Sequence, residues 1–149
     1  MARGFGGGDV EIRVPTAVVD RIRAHAIETY PDECCGFLIG RHEGTDRTVT
    51  EARRAQNVSP DSRRSQYRID NDLTRRTEAE FRVGPLRIVG FYHSHPEYPS
   101  VPSETDRRSA WPYYVYAILG LTNREPSEFT AWRLADDTQT FAPVAITIG

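Results

Sequence analysis

The sequence contains no lysine: its 19 basic residues are all arginine, and they are balanced by 21 aspartate and glutamate residues. The formal net charge of −2 leaves no positive field to hold a phosphate backbone, so nucleic acid is not expected as a partner. The lack of lysine also has a chemical consequence. No side chain of this protein can receive a modifier through a lysine isopeptide bond.

Cysteine is nearly absent as well, because Cys34 and Cys35 are the only two and they are adjacent. A disulfide between sequence neighbours would be strained, so we expect reduced thiols and a reducing compartment. The pair also lacks the two-residue spacer of a redox or zinc motif. We interpret both as small buried hydrophobic residues at the start of a strand, with a redox role as the unsupported alternative.

Long apolar runs are missing too. No segment approaches the length that spans a bilayer, and the first residues lack the apolar stretch of a secretory signal. We therefore expect a cytoplasmic protein without membrane contact, with a flexible tail over residues 1–10 and one domain over residues 11–149. A chain of 149 residues can bury a core without a structural metal, so a metal here would serve chemistry before stability.

The pattern of apolar residues predicts a single α/β (α+β) domain with a central mixed β-sheet flanked by helices. Helical periodicity is present over residues 15–30, before Pro31, and over residues 71–83, before Gly84; a short helix is expected from Ser103. Strands are expected over residues 35–40, 48–55, 67–70, 86–95, 113–121, 128–134 and 140–148.

Two histidines, His93 and His95, lie two residues apart in the most strand-like stretch of the sequence. Because strand side chains alternate between faces, both imidazoles are expected on the same side, which is the spacing that a shared metal ion requires. Pro96 favours an extended backbone at His95. Val89 and Phe91 are expected to share this face and to form an apolar floor beneath the histidines.

A catalytic zinc ion usually takes three protein ligands and keeps one open position, so a third ligand is needed. Asp106 is the best candidate, because it follows a proline-punctuated loop that can return the chain to the strand end. Ser103 precedes it by three residues, and Ser-x-x-Asp is by itself a common helix start without any catalytic role. A His-His-carboxylate set leaves room for a water molecule that titrates near neutrality.

The combined pattern, His93-x-His95, seven residues, Ser103-x-x-Asp106, resembles the signature of the JAMM (MPN-plus) metalloprotease family. Upstream, residues 30–40 resemble the family's other landmark, in which a helix end carries the catalytic glutamate, here Glu33, before the first long strand. The similarity covers nearly the whole chain and is greatest to the short, stand-alone prokaryotic members. Further similar positions are Asn57, Tyr67 and Gly90-Phe91-Tyr92.

The resemblance implies a JAMM/MPN-like domain with zinc as cofactor, bound by His93, His95 and Asp106. It implies Glu33 as the general base that shuttles the proton, and Ser103 as a donor to the oxyanion. The implied activity is that of a zinc-dependent peptidase or isopeptidase. Its substrate would be a ubiquitin-like or sulfur-carrier protein whose extended, glycine-rich C-terminal tail enters the site. The sequence leaves open whether the bond is a lysine isopeptide, a cysteine adduct or a linear precursor, and it leaves the oligomeric state open.

Two other function classes are alternatives. Metal-free members of the same family imply a non-catalytic scaffold or protein-binding module, but such members typically lose one or more ligands, and this chain keeps them all. A zinc deaminase would require His-x-Glu and a later Pro-Cys-x-x-Cys, and both are missing.

The remaining histidines and aromatic residues are expected outside the site. His25 lies at helical spacing from apolar residues and is predicted to be half-buried with its hydrogen bonds satisfied, and His42 lies in a polar turn and is predicted to be solvated. Core packing is predicted for Trp111, Tyr113, Tyr114 and Tyr116. Contact with substrate is a hypothesis, based on position alone, for Glu97, Tyr98 and Glu104.

Overall fold

Helices and strands alternate along the chain, which the structure, a computed structural model, describes for residues 10–135 and 140–149. This part of the chain forms β1 (Glu11–Val14), α1 (Thr16–Thr29), β2 (Cys35–Glu43), β3 (Asp46–Ala55), α2 (Asn71–Glu80), β4 (Arg87–Pro96), α3 (Glu104–Ser109), β5 (Val115–Thr122), β6 (Glu125–Leu134) and β7 (Phe141–Ile148). No helix in it is long and apolar enough to cross a membrane. The predicted tail over residues 1–10 lies outside the described residues, except for Val10, which is buried.

The seven strands form one mixed sheet that closes on itself in the order β1-β3-β2-β4-β5-β6-β7. The pairing of β4 with β5 is parallel, as are both pairings of β1, and the other neighbours are antiparallel. The predicted mixed sheet is therefore confirmed. Closure depends on β1, which the sequence analysis missed because four residues are too few to show a clear alternation.

Helix α1 covers one side of the sheet and ends where the site begins. It buries Val19 and Ile22, which are both 0% exposed, and packs against β3, β4, β5 and β6. Burial of such side chains contributes about 1.5–3 kcal/mol each. The helix ends at Tyr30 because the following Pro31 has no backbone N–H and disfavours helical geometry in the residue before it. Glu33 thus lies in the short connection between α1 and β2.

A β-bulge in β4 decides which side chains lie beneath the histidines. The register between β2 and β4 shifts between Leu38 and Ile39, and Val89 is the extra residue on β4. Val89 therefore packs into the apolar cluster under α1, whereas Phe91 packs into the second cluster, on the side of the histidines. The expected apolar floor is correct for Phe91 and wrong for Val89, because the bulge interrupts the alternation that the prediction assumed.

The predicted strand over residues 67–70 is wrong, since this segment pairs with no other strand. The side chain of Asn57 organises the segment instead. Its Nδ2 donates to the carbonyl oxygens of Glu33 (3.0 Å) and Gln66 (2.9 Å), and its Oδ1 accepts from the backbone N–H of Arg68 at 3.2 Å. One amide side chain therefore ties the loop before α2 to the residue that precedes β2.

The polar residues 41–47 lie between two predicted strands, but in the structure most of them continue β2 and β3. The turn itself is the two-residue connection at Gly44, whose φ of 64° is the left-handed conformation that glycine favours. Cross-strand pairing extends to Glu43 and Asp46. A polar composition therefore did not indicate a turn here, because both strands continue to the tip of the hairpin.

The predicted aromatic core is only partly correct. Tyr116 is buried, and Tyr114 is half-buried with its ring against Phe91 at 4.9 Å. Trp111 and Tyr113, by contrast, are 67% and 55% exposed. The reason is that α3 ends at Ser109, and the chain crosses the surface before it enters β5.

Candidate metal centre

The two histidines lie at the carboxyl end of β4, which has a paired strand on each side. His93 pairs with Cys35 of β2 and Ile118 of β5, and His95 pairs with Gly120 of β5. Their side chains are 1% and 0% exposed, respectively. Both imidazoles lie on the same face, and the paired strand allows them little freedom to move.

The start of α3 brings Asp106 to the histidines. Ser103 is the N-cap residue: its Oγ accepts a hydrogen bond from the Asp106 backbone N–H at 3.0 Å, and its own N–H donates to Asp106 Oδ2 at 2.9 Å. This reciprocal capping box fixes the direction of the carboxylate. The ordinary helix start considered in the sequence analysis is therefore present, and it also orients Asp106 towards β4.

Three potential ligand atoms converge on one point. His93 Nε2 and His95 Nε2 are 3.1 Å apart, and Asp106 Oδ2 lies 3.2 Å from the first and 3.1 Å from the second. Atoms bound at about 2.0–2.1 Å to a tetrahedral zinc ion lie roughly 3.4 Å apart, so this triangle is close to the required size. The three residues therefore fit a divalent metal ion.

The protonation states of His95, His93 and Asp106 are suited to metal binding. His95 Nδ1 donates to the carbonyl oxygen of Pro99 at 2.7 Å, which places a proton on Nδ1 and makes Nε2 the atom that can bind a metal ion. Burial lowers the pKa of His93, which favours the neutral form of this imidazole. Burial alone would raise the pKa of Asp106, but the adjacent His93 and the hydrogen bonds to the carboxylate hold it well below its usual range.

Two tyrosine rings enclose the histidines. Tyr67 stacks on His93 with 4.4 Å between ring centroids, and Tyr98 stacks on His95 at 4.3 Å. The Nδ1 atom of His93 has no hydrogen-bond partner among the described residues, so this ring is positioned by stacking. The sequence analysis noted Tyr67 only as a similar position and Tyr98 only as a possible substrate contact.

Glu33 lies beside this cluster and is 1% exposed. The hydroxyl of Tyr98 donates to Glu33 Oε2, whereas Oε1 is buried and has no partner within the described part of the chain. Burial raises the pKa of Glu33 to about 8; the hydrogen bond from Tyr98 opposes this shift, and the negative charge of Asp106 adds to it. The structure thus places a carboxylate that holds a proton near neutral pH next to the potential ligands.

Ser103 lies next to the same cluster and is half-buried. Its oxygen acts as the acceptor in the helix cap, so its hydroxyl hydrogen is not used there. The structure therefore brings all five predicted site residues together.

The other two histidines lie away from this site. The Nδ1 atom of His25 is 2.7 Å from the hydroxyl of Tyr92, which confirms the predicted hydrogen bonding. The residue is 7% exposed and so is buried rather than half-buried as predicted. His42 is half-buried in β2 and contacts the Tyr113 hydroxyl at 3.0 Å. The prediction that His42 is solvated is therefore only partly correct, because the exposed Tyr113 lies against it.

The cysteines are packing residues in the structure. Both thiols are free and buried, as predicted, and burial raises the pKa of each to about 12. A thiol with so high a pKa carries almost no thiolate at neutral pH, so neither cysteine is poised for redox chemistry or metal binding.

A groove of about 330 Å³ begins beside the stacked Tyr67. It lies between the loop before α2 and helix α3, and Phe91 and Tyr116 form part of its apolar wall. Thr105, the neighbour of Asp106, also lines it. The groove is therefore lined by a residue that stacks on His93 and by the sequence neighbour of Asp106.

Comparison with known proteins agrees with this architecture. The family described as "Prokaryotic homologs of the JAB domain" matches residues 15–135. A relative from Haloferax volcanii, named desampylase, is 42% identical over 110 residues, which are 70% of this chain and 77% of the relative. The CysO-cysteine peptidase of Mycobacterium tuberculosis is 29% identical over 135 residues, which are 87% of this chain and 86% of the relative.

A solved structure shows the same fold. The solution structure of protein DSY2949 from Desulfitobacterium hafniense superimposes with a TM-score of 0.79 and 25% identity, covering 93% of this chain and 92% of that one. The predicted fold and the predicted JAMM-type hydrolase class are confirmed by these matches. The chain belongs to the family of prokaryotic homologs of the JAB domain.

Proposed function

We propose that this protein is a zinc-dependent peptidase or isopeptidase that hydrolyses an amide bond at the C-terminus of a ubiquitin-like or sulfur-carrier protein. The observation that carries the proposal is the convergence of three ligand atoms on one point beside a buried glutamate. The relatives named desampylase and CysO-cysteine peptidase support this class of substrate.

His93, His95 and Asp106 would hold the metal. A zinc ion bound there would polarise the scissile carbonyl and lower the pKa of a water molecule towards neutrality. Two imidazoles and one carboxylate also suit ferrous iron, so the metal must be identified by elemental analysis. Among the described residues, the group of converging atoms includes no cysteine, which favours a catalytic site over a structural zinc site, because structural sites are typically rich in cysteine.

Glu33 acts as the general base and later as the general acid. It accepts the proton of the attacking water and returns it to the leaving amine, so its charge is restored at the end of each turnover. Its pKa of about 8 in the metal-free protein shows that burial disfavours the charged form, and a nearby cation would shift that pKa back towards neutrality. Such a group exchanges protons readily at pH 7.

Ser103 donates to the oxyanion that develops on the scissile carbonyl. Its hydroxyl hydrogen is available because only the oxygen takes part in the cap of α3. A preorganised donor of this kind is typically worth about 3 kcal/mol in the transition state. The helix start thus performs two tasks, since it also orients Asp106.

The C-terminal tail of the substrate lies in the groove beside Tyr67. Tyr67, which lines the groove, stacks on His93, so an extended tail in the groove comes close to the potential metal ligands. A glycine-rich tail suits it, because an extended chain without bulky side chains can enter a narrow groove.

The direct test is hydrolysis of C-terminal adducts by zinc-loaded protein, followed by mass spectrometry of the products. Three adducts of one small ubiquitin-like protein are compared: a lysine isopeptide, a cysteine adduct and a linear extension. We expect at least one to be cleaved, and we expect Glu33→Gln to lower the rate about 10²- to 10⁴-fold while retaining zinc. A Glu33→Gln protein as fast as the wild type would contradict the assigned mechanism.

The non-catalytic scaffold remains the alternative function, and metal analysis separates the two. A protein purified under mild conditions without any stoichiometric metal, and inactive on all three adducts after zinc loading, would favour the scaffold.

A further inference from the structure

The loop after β4 places one tyrosine over the site. The ring of Tyr98 stacks on His95 with 4.3 Å between centroids and 19° between planes, and its hydroxyl donates to Glu33 Oε2. One side chain therefore contacts both a potential metal ligand and the proposed general base. Two separate elements, the end of β4 and the connection before β2, are linked through it.

The hydrogen bond distinguishes the two oxygens of Glu33. Oε2 is occupied by the Tyr98 hydroxyl, whereas Oε1 is buried without a partner among the described residues. The backbone of Glu33 is held as well, because its N–H donates to the carbonyl of Arg63 at 2.7 Å and its carbonyl accepts from Asn57 Nδ2 at 3.0 Å. Rotation of the side chain is the main freedom left, and the Tyr98 contact restricts it.

Tyr98 is held in turn by its neighbour in the loop. Glu97 has a φ of 65°, a left-handed conformation that residues with a side chain rarely adopt. Its carboxylate accepts from the backbone N–H groups of Asn123 (2.9 Å) and Arg124 (2.8 Å) and from the hydroxyl of Tyr30 (3.0 Å). Such backbone strain persists where the surroundings determine the conformation. The β5–β6 turn and the end of α1 thus fix the direction of Tyr98.

We propose that Tyr98 is a positioning residue for Glu33, which holds Oε2 so that Oε1 is the oxygen that takes the proton from water and delivers it to the leaving amine. The catalytic consequence rests on the proposed function, but the contact itself does not. Without the hydroxyl, the carboxylate turns among several orientations, and only some of them direct an oxygen towards the reacting water.

The first test compares Tyr98→Phe with Tyr114→Phe. Tyr98→Phe keeps the stacked ring and removes only the hydroxyl. Tyr114→Phe is the matched control, since the Tyr114 hydroxyl also donates to a glutamate, Glu78 of α2, at 2.9 Å, but in a pair exposed to solvent. We expect Tyr98→Phe to lower kcat about 10- to 100-fold, as for the loss of a hydrogen bond to a charged group, with KM and zinc content unchanged. Tyr114→Phe should retain wild-type kcat.

The second test does not depend on activity. The side-chain carboxyl of Glu33 is followed by ¹³C NMR over a pH titration of the metal-free wild type, Tyr98→Phe and Tyr114→Phe. Because the hydroxyl donates to the charged carboxylate, its removal should raise the pKa of Glu33, whereas Tyr114→Phe should leave it unchanged.

The outcomes separate the two proposals. A wild type inactive on every adduct contradicts the proposed function, and the titration still decides whether Tyr98 holds Glu33. An unchanged Glu33 pKa in Tyr98→Phe overturns the positioning role, whatever the rate. A shifted pKa with wild-type kcat overturns it too, because the contact would then have no effect on proton transfer. A shifted pKa together with a lower kcat supports it.

Discussion

The protein buries histidine in two different environments, on opposite faces of β4. Under α1, the buried His25 makes a 2.7 Å contact with the hydroxyl of Tyr92, so its polar atom is satisfied inside the protein. At the end of β4, His93 and His95 direct their Nε2 atoms towards each other and towards Asp106. The first arrangement stabilises the fold through a buried hydrogen bond, whereas the second brings together three atoms that could hold a metal ion.

Replacement of Asp106 should have the largest effect on zinc binding and turnover. Asp106→Asn keeps the shape of the side chain but replaces a charged oxygen ligand, so we expect loss of stoichiometric zinc and of measurable turnover. The control variant on the other face of β4, His25→Leu, should retain both stoichiometric zinc and turnover. Elemental analysis and the adduct assay measure the two properties, and an Asp106→Asn protein that binds zinc as tightly as the wild type would remove Asp106 from the metal site.

Ser103→Ala should lower kcat about 100-fold through loss of the oxyanion donor, and it should cost about 1 kcal/mol of stability through loss of the helix cap. Asp70→Ala is the control, because the Asp70 side chain caps α2 at 3.1 Å from the Leu73 N–H, away from the site. It should show the loss of stability without the loss of rate. Equal rates in the two variants would leave Ser103 with a capping role only.

Glu33 should make the metal-free protein less stable as pH rises. Its pKa is raised from 4.5 to about 8 on folding, so above pH 4.5 the unfolded chain loses a proton that the folded protein keeps. Each pH unit between these values costs up to about 1.4 kcal/mol of stability. The glutamine side chain of Glu33→Gln cannot ionise, so this variant does not lose stability in this way as pH rises.

The measurement is the free energy of unfolding of wild type and Glu33→Gln, without metal, from pH 5 to pH 8. Between pH 5 and 7, the free energy of unfolding of Glu33→Gln should increase relative to that of the wild type by on the order of 1–3 kcal/mol. Comparison between the two proteins cancels the titration of His25 and His93. A difference that does not change with pH would show that Glu33 is ionised in the folded protein throughout.

His25→Leu should have the smallest effect, confined to stability. It leaves the Tyr92 hydroxyl buried without its partner, which costs about 1–3 kcal/mol. Denaturant unfolding measures the loss, with Tyr92→Phe in the same background as the control. The double variant should recover part of the stability, because both polar groups are then removed. A His25→Leu protein without zinc would mean that the two faces of β4 are not independent.

The convergence of ligands was predictable because short-range patterns carry it. The spacing of His93 and His95 in a strand determines their common face, and Ser103-x-x-Asp106 is a helix start that determines the direction of its own carboxylate. Each of these relations involves few residues and little dependence on distant contacts. Glu33, by contrast, was predicted from the resemblance of residues 30–40 to a family landmark, because a glutamate between a helix end and a strand is common.

Other features depend on contacts between distant parts of the chain. The position of Tyr98 over Glu33 requires the left-handed Glu97, which is held by a turn at residues 123–124. The bulge at Val89 arises from pairing with β2, and closure of the sheet through β1 arises from pairing with β3 and β7. No local pattern records such pairings, so the sequence predicted the converging side chains but not the contact between Tyr98 and Glu33.

X-ray absorption at the zinc edge of the loaded protein reports directly on the atoms bound to the metal. We expect one zinc ion per chain with only nitrogen and oxygen neighbours at about 2.0–2.1 Å, two of them with the outer-shell scattering of imidazole. A sulfur neighbour at about 2.3 Å, which would place Cys34 or Cys35 on the metal, would contradict it, as would the absence of imidazole scattering.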